Sequence, residues 1–468
     1  MVEVVTLDTP ELGDRTYLVH DGQQGVVVDP QRDTDRVLAV ADLAGVTITC
    51  VAETHIHNDY VSGGRALAEE LGARYLVAAE DEVGFQHQPV SEGDRIEVGS
   101  MTMQALFTPG HTPSHLSFLV WSEKAPRALF SGGSLLYGAV GRTDLVSADL
   151  TVALAHAQHQ SARRLAALPE GVDLFPTHGF GSFCAGGPMP DSEPNHSIRT
   201  QRASNPAMTD DEEAFVTSLL AGYSLYPRYY AHMGELNREG AQEPDRSLPP
   251  EIEMDEVGRR IGGREWVLDV RSRIEFGASH VAGTLNFPSG LLLATYVGWV
   301  VPWRAPITLV GSSQADVVRT QRDLARIGID WLAGWSRAPL DELRDGLGSS
   351  SYPVTDFAGL ARAMGSEQVL VLDARRPDEW RESHIKGAIN IHLPDLPERI
   401  SELPDRPTWV HCASGYRASV AASLLDRAGR EVVLVDDEID HLEQAGLELE
   451  SGTGSRSEPT EIGPGRNL

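Results

Sequence analysis

The chain is 468 residues long, room for about three domains at roughly 150 residues each, and its 41% apolar content supports proper cores. No apolar run reaches the roughly 18 residues of a membrane span. A net charge of −29, from 68 acidic against 39 basic residues, excludes nucleic acid and anionic membranes as partners.

The start, Met1-Val2-Glu3-Val4-Val5, carries neither a positive region nor a cleavage site, so no signal peptide is expected. Three cysteines, Cys50, Cys184 and Cys412, are too few for a disulfide scaffold, and a reducing, cytoplasmic location is expected. Along residues 1–185, short β-rich runs alternate with turns and helices. Residues 25–29, 48–52, 75–77, 103–107 and 116–120 read as strands. Residues 152–168 read as a helix with Asp149 or Thr151 as its cap, and 210–220 as another behind Thr209. Cys50 lies in an apolar strand and reads as core.

The turn after the second of these strands is Thr54-His55-Ile56-His57-Asn58-Asp59-Tyr60. Two histidines at alternate positions are weak evidence alone, since such pairs are often polar surface. A third histidine stands in the glycine turn Thr108-Pro109-Gly110-His111-Thr112, and a fourth in Phe175-Pro176-Thr177-His178-Gly179. Neutral imidazole is a transition-metal donor, and strand-end turns converge readily on one site. Cys184, in Gly181-Ser182-Phe183-Cys184, follows the last of these turns; core or surface filler is its favoured reading over bordering the metal pocket.

Over about residues 1–235 this ordered set resembles the metallo-β-lactamase superfamily, with its His-x-His-x-Asp-His signature and two later histidines. The resemblance implies an αββα sandwich with its site at one sheet edge, and His55, His57, His111, Asp59 and His178 as metal ligands. Two positions depart from the pattern. Tyr60 replaces a histidine of the second metal, which argues for one metal rather than two. Phe130-Ser131-Gly132-Gly133 lacks the usual aspartate, so weak metal binding is expected, with Gly133→Asp expected to tighten it and Asp144 an alternative carboxylate. On the family's pocket-side segment, Tyr137, Arg142 and Thr143 are expected to contact the substrate.

Residues 238–250, with Gly240, Pro244, Pro249 and Pro250, read as a linker. Beyond it lies a repeat. Val267-Leu268-Asp269-Val270-Arg271 recurs as Val371-Leu372-Asp373-Ala374-Arg375, and Ser279-His280-Val281-Ala282-Gly283 as Ser383-His384-Ile385-Lys386-Gly387. Units of about 100 residues suit duplicated α/β domains, here 251–347 and 353–452. The Asp-x-Arg and His-x-x-Gly positions read as hydrogen-bonded turn anchors. Residues 453–468, rich in Gly, Ser and Pro, read as a disordered tail.

The second unit holds His411-Cys412-Ala413-Ser414-Gly415-Tyr416-Arg417 before an apolar helical run. A cysteine between a strand and a helix start faces backbone N–H groups and the positive helix end, which favours a thiolate nucleophile. Gly415 permits the tight loop and Arg417 adds positive charge. The unit resembles the rhodanese domain over roughly 353–450; four residues between Cys and Arg match sulfur carriers, where related phosphatases have five. In the first unit Gly311 takes the place of Cys412, so 251–347 reads as an inactive rhodanese-like domain with a structural role.

A metallo-β-lactamase domain, residues 1–237, fused to two rhodanese-like α/β domains with parallel sheets resembles persulfide dioxygenase–sulfurtransferase fusions. The resemblance implies mononuclear Fe(II), with zinc the alternative, oxidising a low-molecular-weight thiol persulfide to sulfite with O₂. Cys412 and Arg417 would be catalytic and Gly415 substrate-binding, with sulfite or thiosulfate as partners. A glyoxalase II-type thioester hydrolase and a metal-poor sulfur carrier are the competing readings. The thiol (glutathione, mycothiol, bacillithiol or coenzyme A), the direction of sulfur transfer and homo-oligomerisation stay open at this stage.

Overall fold

The computed structural model describes residues 2–179, 181–186, 197–337, 348–366 and 368–452. The expected tail at 453–468 lies outside them. The chain divides into two compact units: Met1–Pro250 with Ser289–Ile307 and Ser313–Trp335, and Glu251–Pro288 with Thr308–Ser312 and Ser336–Leu468.

The first unit is built on two sheets. One runs β1 (Glu3–Thr9), β2 (Asp14–His20), β3 (Gln24–Val28), β4 (Thr47–Ala52), β5 (Arg74–Ala78), β6 (Gln88–Val90) in that spatial order. The other contains β7 (Arg95–Val98), β8 (Met101–Phe107), β9 (Leu116–Ser122), β10 (Ala125–Gly132) and β11 (Asp173–Pro176), with order β11-β10-β9-β8-β7. β3 to β6 pair in parallel, and so do β10 and β11, while the remaining neighbours are antiparallel.

Alternation explains the layering. In Val26-Val27-Val28, Val26 and Val28 meet Phe118, Val120 and Phe130 of the opposite sheet. Val27 turns the other way, onto Val37, Ala41, Leu67 and Ala68 of the helices Asp35–Ala44 and Gly64–Leu71. Because both faces are covered, the strand is a continuous apolar run. On the far side Leu119, Leu129 and Leu174 pack under Ala162, Leu165, Phe215 and Leu219 of the helices Thr151–Ala166 and Glu212–Ala221. The result is an αββα sandwich.

Both helix starts differ from the sequence expectation. Thr151–Ala166 begins behind a 3₁₀ turn, Ala148–Leu150, and neither Asp149 nor Thr151 caps it; the Thr151 hydroxyl instead donates to the Ser147 carbonyl. Glu212–Ala221 is capped by Asp211, not Thr209, its carboxylate accepting from the Ala214 N–H at 3.0 Å.

The second unit centres on a parallel sheet whose spatial order is Val354–Thr355, Val432–Val435, Thr408–His411, Leu370–Asp373, Ile389–Asn390. The helix Tyr416–Arg427 is buried from Tyr416 through Leu425. The repeated motifs fold alike. Arg271 and Arg375 each clamp the carboxylate two residues back, Asp269 and Asp373, and each donates to a serine carbonyl, Ser279 and Ser383. His280 and His384 each donate from Nδ1 to the carbonyl four residues back, both at 2.8 Å. Asn286 and Asn390 each tie two carbonyls of the Asp-x-Arg turn. They are turn anchors.

Candidate metal centre and sulfur loop

The turn after β4 is held by Asp29, at the end of β3. Its carboxylate accepts the Thr54 N–H at 2.7 Å, the Thr54 hydroxyl at 2.8 Å and the Thr177 hydroxyl, so it joins the His55 and His178 turns. Asp29 takes a φ of 52°, rare for a non-glycine residue, and three hydrogen bonds fix it there. Burial raises its pKa, but the facing His57 charge and these bonds bring it below the ordinary value.

Four imidazoles converge behind this anchor. His55 lies 4.1 Å from His57, 4.8 Å from His111 and 5.3 Å from His178, centroid to centroid. The donor atoms of His55, His57 and His178 lie within 4.8 Å of one another, as do those of Asp14, Asp59 and His178. The structure therefore brings together all five expected ligands, His55, His57, His111, Asp59 and His178. His178 is the hub: its Nδ1 meets Asp14 at 2.8 Å and Asp59 at 3.1 Å, and its Nε2 meets His55 Nε2 at 3.3 Å.

The tautomers follow from the partners. A carbonyl only accepts, so His111 Nδ1 donates to the Arg142 carbonyl at 2.7 Å and leaves Nε2 as a bare lone pair. Burial drops the His111 pKa to about 3, which keeps it neutral. His57 differs. Burial lowers its pKa, but Asp29 and Glu53 raise it to about 9, and its Nε2 also meets the Tyr60 hydroxyl at 3.0 Å. Tyr60 thus occupies the far side of His57 and supplies no donor to the centre. Among the described residues, His111 Nε2 and His57 Nδ1 are both buried without a hydrogen-bond partner. Buried polar atoms seldom go unpartnered, so the residues fit a bound cation.

Position 133 does not behave as the sequence suggests. Gly133 has no positive φ; that belongs to Gly132, at 54°. A Cβ on Gly133 would lie 2.2 Å from His111 Cδ2, so His111 fills the space an aspartate would need. The Gly133 N–H donates to His115 Nε2 at 3.0 Å, and His115 Nδ1 meets Thr108 Oγ1 at 3.0 Å. Asp144 is no substitute, since both its oxygens hold Arg142, at 2.7 and 2.8 Å.

Tyr137, Arg142 and Thr143, expected at the substrate, each have partners within the protein. The Tyr137 hydroxyl donates to the Leu174 carbonyl. Arg142 holds Asp144 and lies against the Tyr223 and Tyr226 rings. Thr143 bonds Tyr223 and the Thr151 carbonyl. A cavity of about 280 Å³ opens beside the two histidine turns, lined by Ile56, Thr112, Ser114, Val146, Asp81 and Arg238 among others. Sequence reasoning missed Asp14, Asp29, Glu53 and His115, and placed Cys184 elsewhere. The Asp29 signal was there: a lone carboxylate ending an apolar strand.

In the second unit Cys412 directly follows the strand Thr408–His411 and Gly415 caps the next helix with a φ of 80°. A Cβ at 415 would strike Asp436, so glycine is required there. Arg417 forms a bidentate pair with Glu379, at 2.5 and 2.7 Å. Burial raises the Glu379 pKa, but Arg417 outweighs it and brings it to about 2. Ala374 N–H donates to the His411 carbonyl as Val270 N–H does to Val310, so Gly311 stands in the register of Cys412. Cys50 is core between the sheets, its thiol pushed to about 11 by burial.

The sequence pattern of the metallo-beta-lactamase superfamily matches residues 12–178, and that of the rhodanese-like domain matches 357–444. The chain joins a metallo-beta-lactamase domain to a rhodanese-like domain. The crystal structure of a metallo-beta-lactamase from Staphylococcus aureus subsp. aureus COL superposes with a TM-score of 0.64 and 28% identity, over 72% of this chain and 99% of that one. Similar sequences include hydroxyacylglutathione hydrolases of Methylobacillus flagellatus, 28% identical over 166 residues, and of a Synechococcus strain, 30% identical over 164. These cover 35% and 34% of this chain, which spans 61% and 60% of those two relatives. Among the described residues no helix is long and apolar enough to cross a membrane.

Proposed function

We propose that this chain is a persulfide dioxygenase and sulfurtransferase. It would oxidise a low-molecular-weight thiol persulfide to sulfite, RSSH + O₂ + H₂O giving RSH, sulfite and two protons, and move sulfane sulfur through Cys412. The observation that carries the reading is the shortage of the expected second-metal donors: Tyr60 is turned onto His57 Nε2, and the aspartate position is Gly133, crowded by His111. Thioester hydrolysis through a hydroxide bridging two metals is disfavoured by that shortage, whereas a single centre with open positions suits oxygen chemistry.

His55, His57, His111, His178 and Asp59 would hold the metal, mononuclear Fe(II) or else zinc. Ferrous iron, when bound, supplies the redox chemistry that reaction with O₂ demands. The chain's own residues do the rest. The buried imidazoles exclude bulk water, and Asp14 and Asp29 fix ring orientation at His178 and His57. The cavity beside Ile56 and Thr112 suits the carrier thiol, with Arg238 for a carboxylate and Asp81 or Glu82 for an ammonium. In the rhodanese-like domain the Cys412 thiolate would attack the outer sulfur of thiosulfate or of a persulfide, breaking its S–S bond to form a Cys412 persulfide and releasing sulfite or the thiolate, and Arg417, fixed by Glu379, would add positive charge near the loop. Gly311 in the register of Cys412 supports a first rhodanese-like unit without a sulfur-carrying thiol.

The hydrolase relatives motivate a thioesterase as the second reading. Metal analysis with parallel assays separates the readings. One iron with O₂ uptake on a persulfide supports the dioxygenase, two zincs with thioester cleavage the hydrolase, and a protein that binds no metal a sulfur carrier.

A further inference from the structure

Cys184, which the sequence reads as core or surface filler, is fully buried. Donor atoms of His111, His178 and Cys184 all lie within 4.8 Å of one another. Both Asp59 carboxylate oxygens are also buried without a hydrogen-bond partner among the described residues. Around this group His111 Nε2 is buried with no hydrogen-bond partner among the described residues.

The backbone places the sulfur deliberately. Residues 182–186 form a turn pinned to the segment that carries the His111 support. Cys184 N–H donates to Ser182 Oγ at 3.2 Å, Arg142 N–H donates to the Cys184 carbonyl at 2.8 Å, and Gly186 N–H donates to the Val140 carbonyl at 2.8 Å. Gly141 and Ala185 form an antiparallel bridge. Moreover, the Arg142 guanidinium donates to the Phe183 carbonyl at 3.2 Å, so the residue before the cysteine is held as well.

We propose that Cys184 is an anionic ligand of this centre, binding a first-row divalent cation as a thiolate together with His111, His178 and Asp59. The proposal rests on the reading that the histidine cluster holds a metal. It resolves the deficit at position 133: the negative charge comes from sulfur after the last histidine turn rather than from a carboxylate on β10. Nitrogen, sulfur and oxygen donors in this mixture suit zinc or ferrous iron. Binding breaks the S–H bond, forms the sulfur–metal bond and releases the proton to solvent.

Cobalt(II) added to the metal-free full chain tests it, because cobalt shows visible ligand-field bands in any protein site and a strong near-ultraviolet band only with thiolate. The proposal expects both bands in the wild type. Cys184→Ser should remove the near-ultraviolet band and weaken retention against a chelator about tenfold or more, while Cys412→Ser keeps the band. Cys184→Asp, which offers a carboxylate of similar reach, should hold cobalt without the sulfur band, and covers the case in which the serine variant fails to fold. Ligand-field bands without a sulfur band in the wild type would overturn the role of Cys184 and leave the metal reading standing. A sulfur band that survives in either Cys184 variant would also overturn it. No cobalt bound at all would overturn both.

Discussion

His111 and Cys184 hang from one residue: the Arg142 carbonyl accepts from His111 Nδ1 at 2.7 Å, and the Arg142 N–H donates to the Cys184 carbonyl at 2.8 Å. The Arg142 side chain, itself 2% exposed, fixes that residue through Asp144, Phe183 and Ser224. Arg142→Ala should therefore cost about 3 kcal/mol, seen as a drop of several degrees in the first unit's unfolding midpoint, and should lower metal content at equal protein. A variant with unchanged stability and full metal would mean that Arg142 does not set the geometry.

Gly133→Asp should damage the centre, not repair it. The new Cβ would overlap the His111 ring at 2.2 Å, and the ring has nowhere to go without leaving Arg142. We expect a stability loss of about 1–3 kcal/mol and less bound metal. Elemental analysis of the variant beside the wild type checks this; a higher metal content would show that His111 yields.

Tyr60→Phe removes a hydroxyl that meets both His57 Nε2 and the Asp29 carbonyl. The ring still stacks on His57, and Asp29 and Glu53 still face its Nε2. The loss should be modest, about 1 kcal/mol, with metal stoichiometry unchanged at one. Two metals per chain in this variant would contradict the role given to Tyr60.

The layered fold was legible because its signals are local: apolar runs ending in Asp29 and in the His55 turn are strands covered on both faces. The converging histidines were legible because strand-end turns at one sheet edge meet. What escaped depends on distant chain. Nothing near Gly133 announces that His111 occupies its side-chain space, and nothing near Cys184 announces an antiparallel bridge to Gly141. Tyr137, Arg142 and Thr143 were placed by analogy with a pocket wall, and their bonds to the Leu174 carbonyl, Asp144 and Tyr223 join distant segments that no local pattern announces.

The rhodanese-like domain should lose stability in acid through Glu379. Its folded pKa of about 2 lies below the ordinary 4.5, so the stabilisation is complete above pH 4.5 and disappears as pH falls from 4.5 towards 2. The pair is mostly buried, which makes the contribution on the order of 3 kcal/mol. Acid titration of Glu379→Gln, followed by circular dichroism, should show a lower starting stability and a flatter pH dependence across that window. An acid slope equal to the wild type would remove Glu379 as its source.

Cys412→Ser should abolish sulfur transfer from thiosulfate to a thiol, because Cys412 alone stands in a strand-to-helix loop, while the other thiols of the chain, Cys50 and Cys184, lie in the first unit. Transfer rates in the variant at the wild-type level would place the carrier elsewhere.

One chain is proposed both to oxidise persulfide sulfur and to carry it. Oxygen consumption by the iron-loaded full chain supplied with glutathione persulfide, with sulfite quantified in parallel, tests it most directly. One sulfite per O₂ is expected in the wild type, and the same ratio in Cys412→Ser. An iron-loaded protein that consumes no oxygen yet cleaves a glutathione thioester would contradict it.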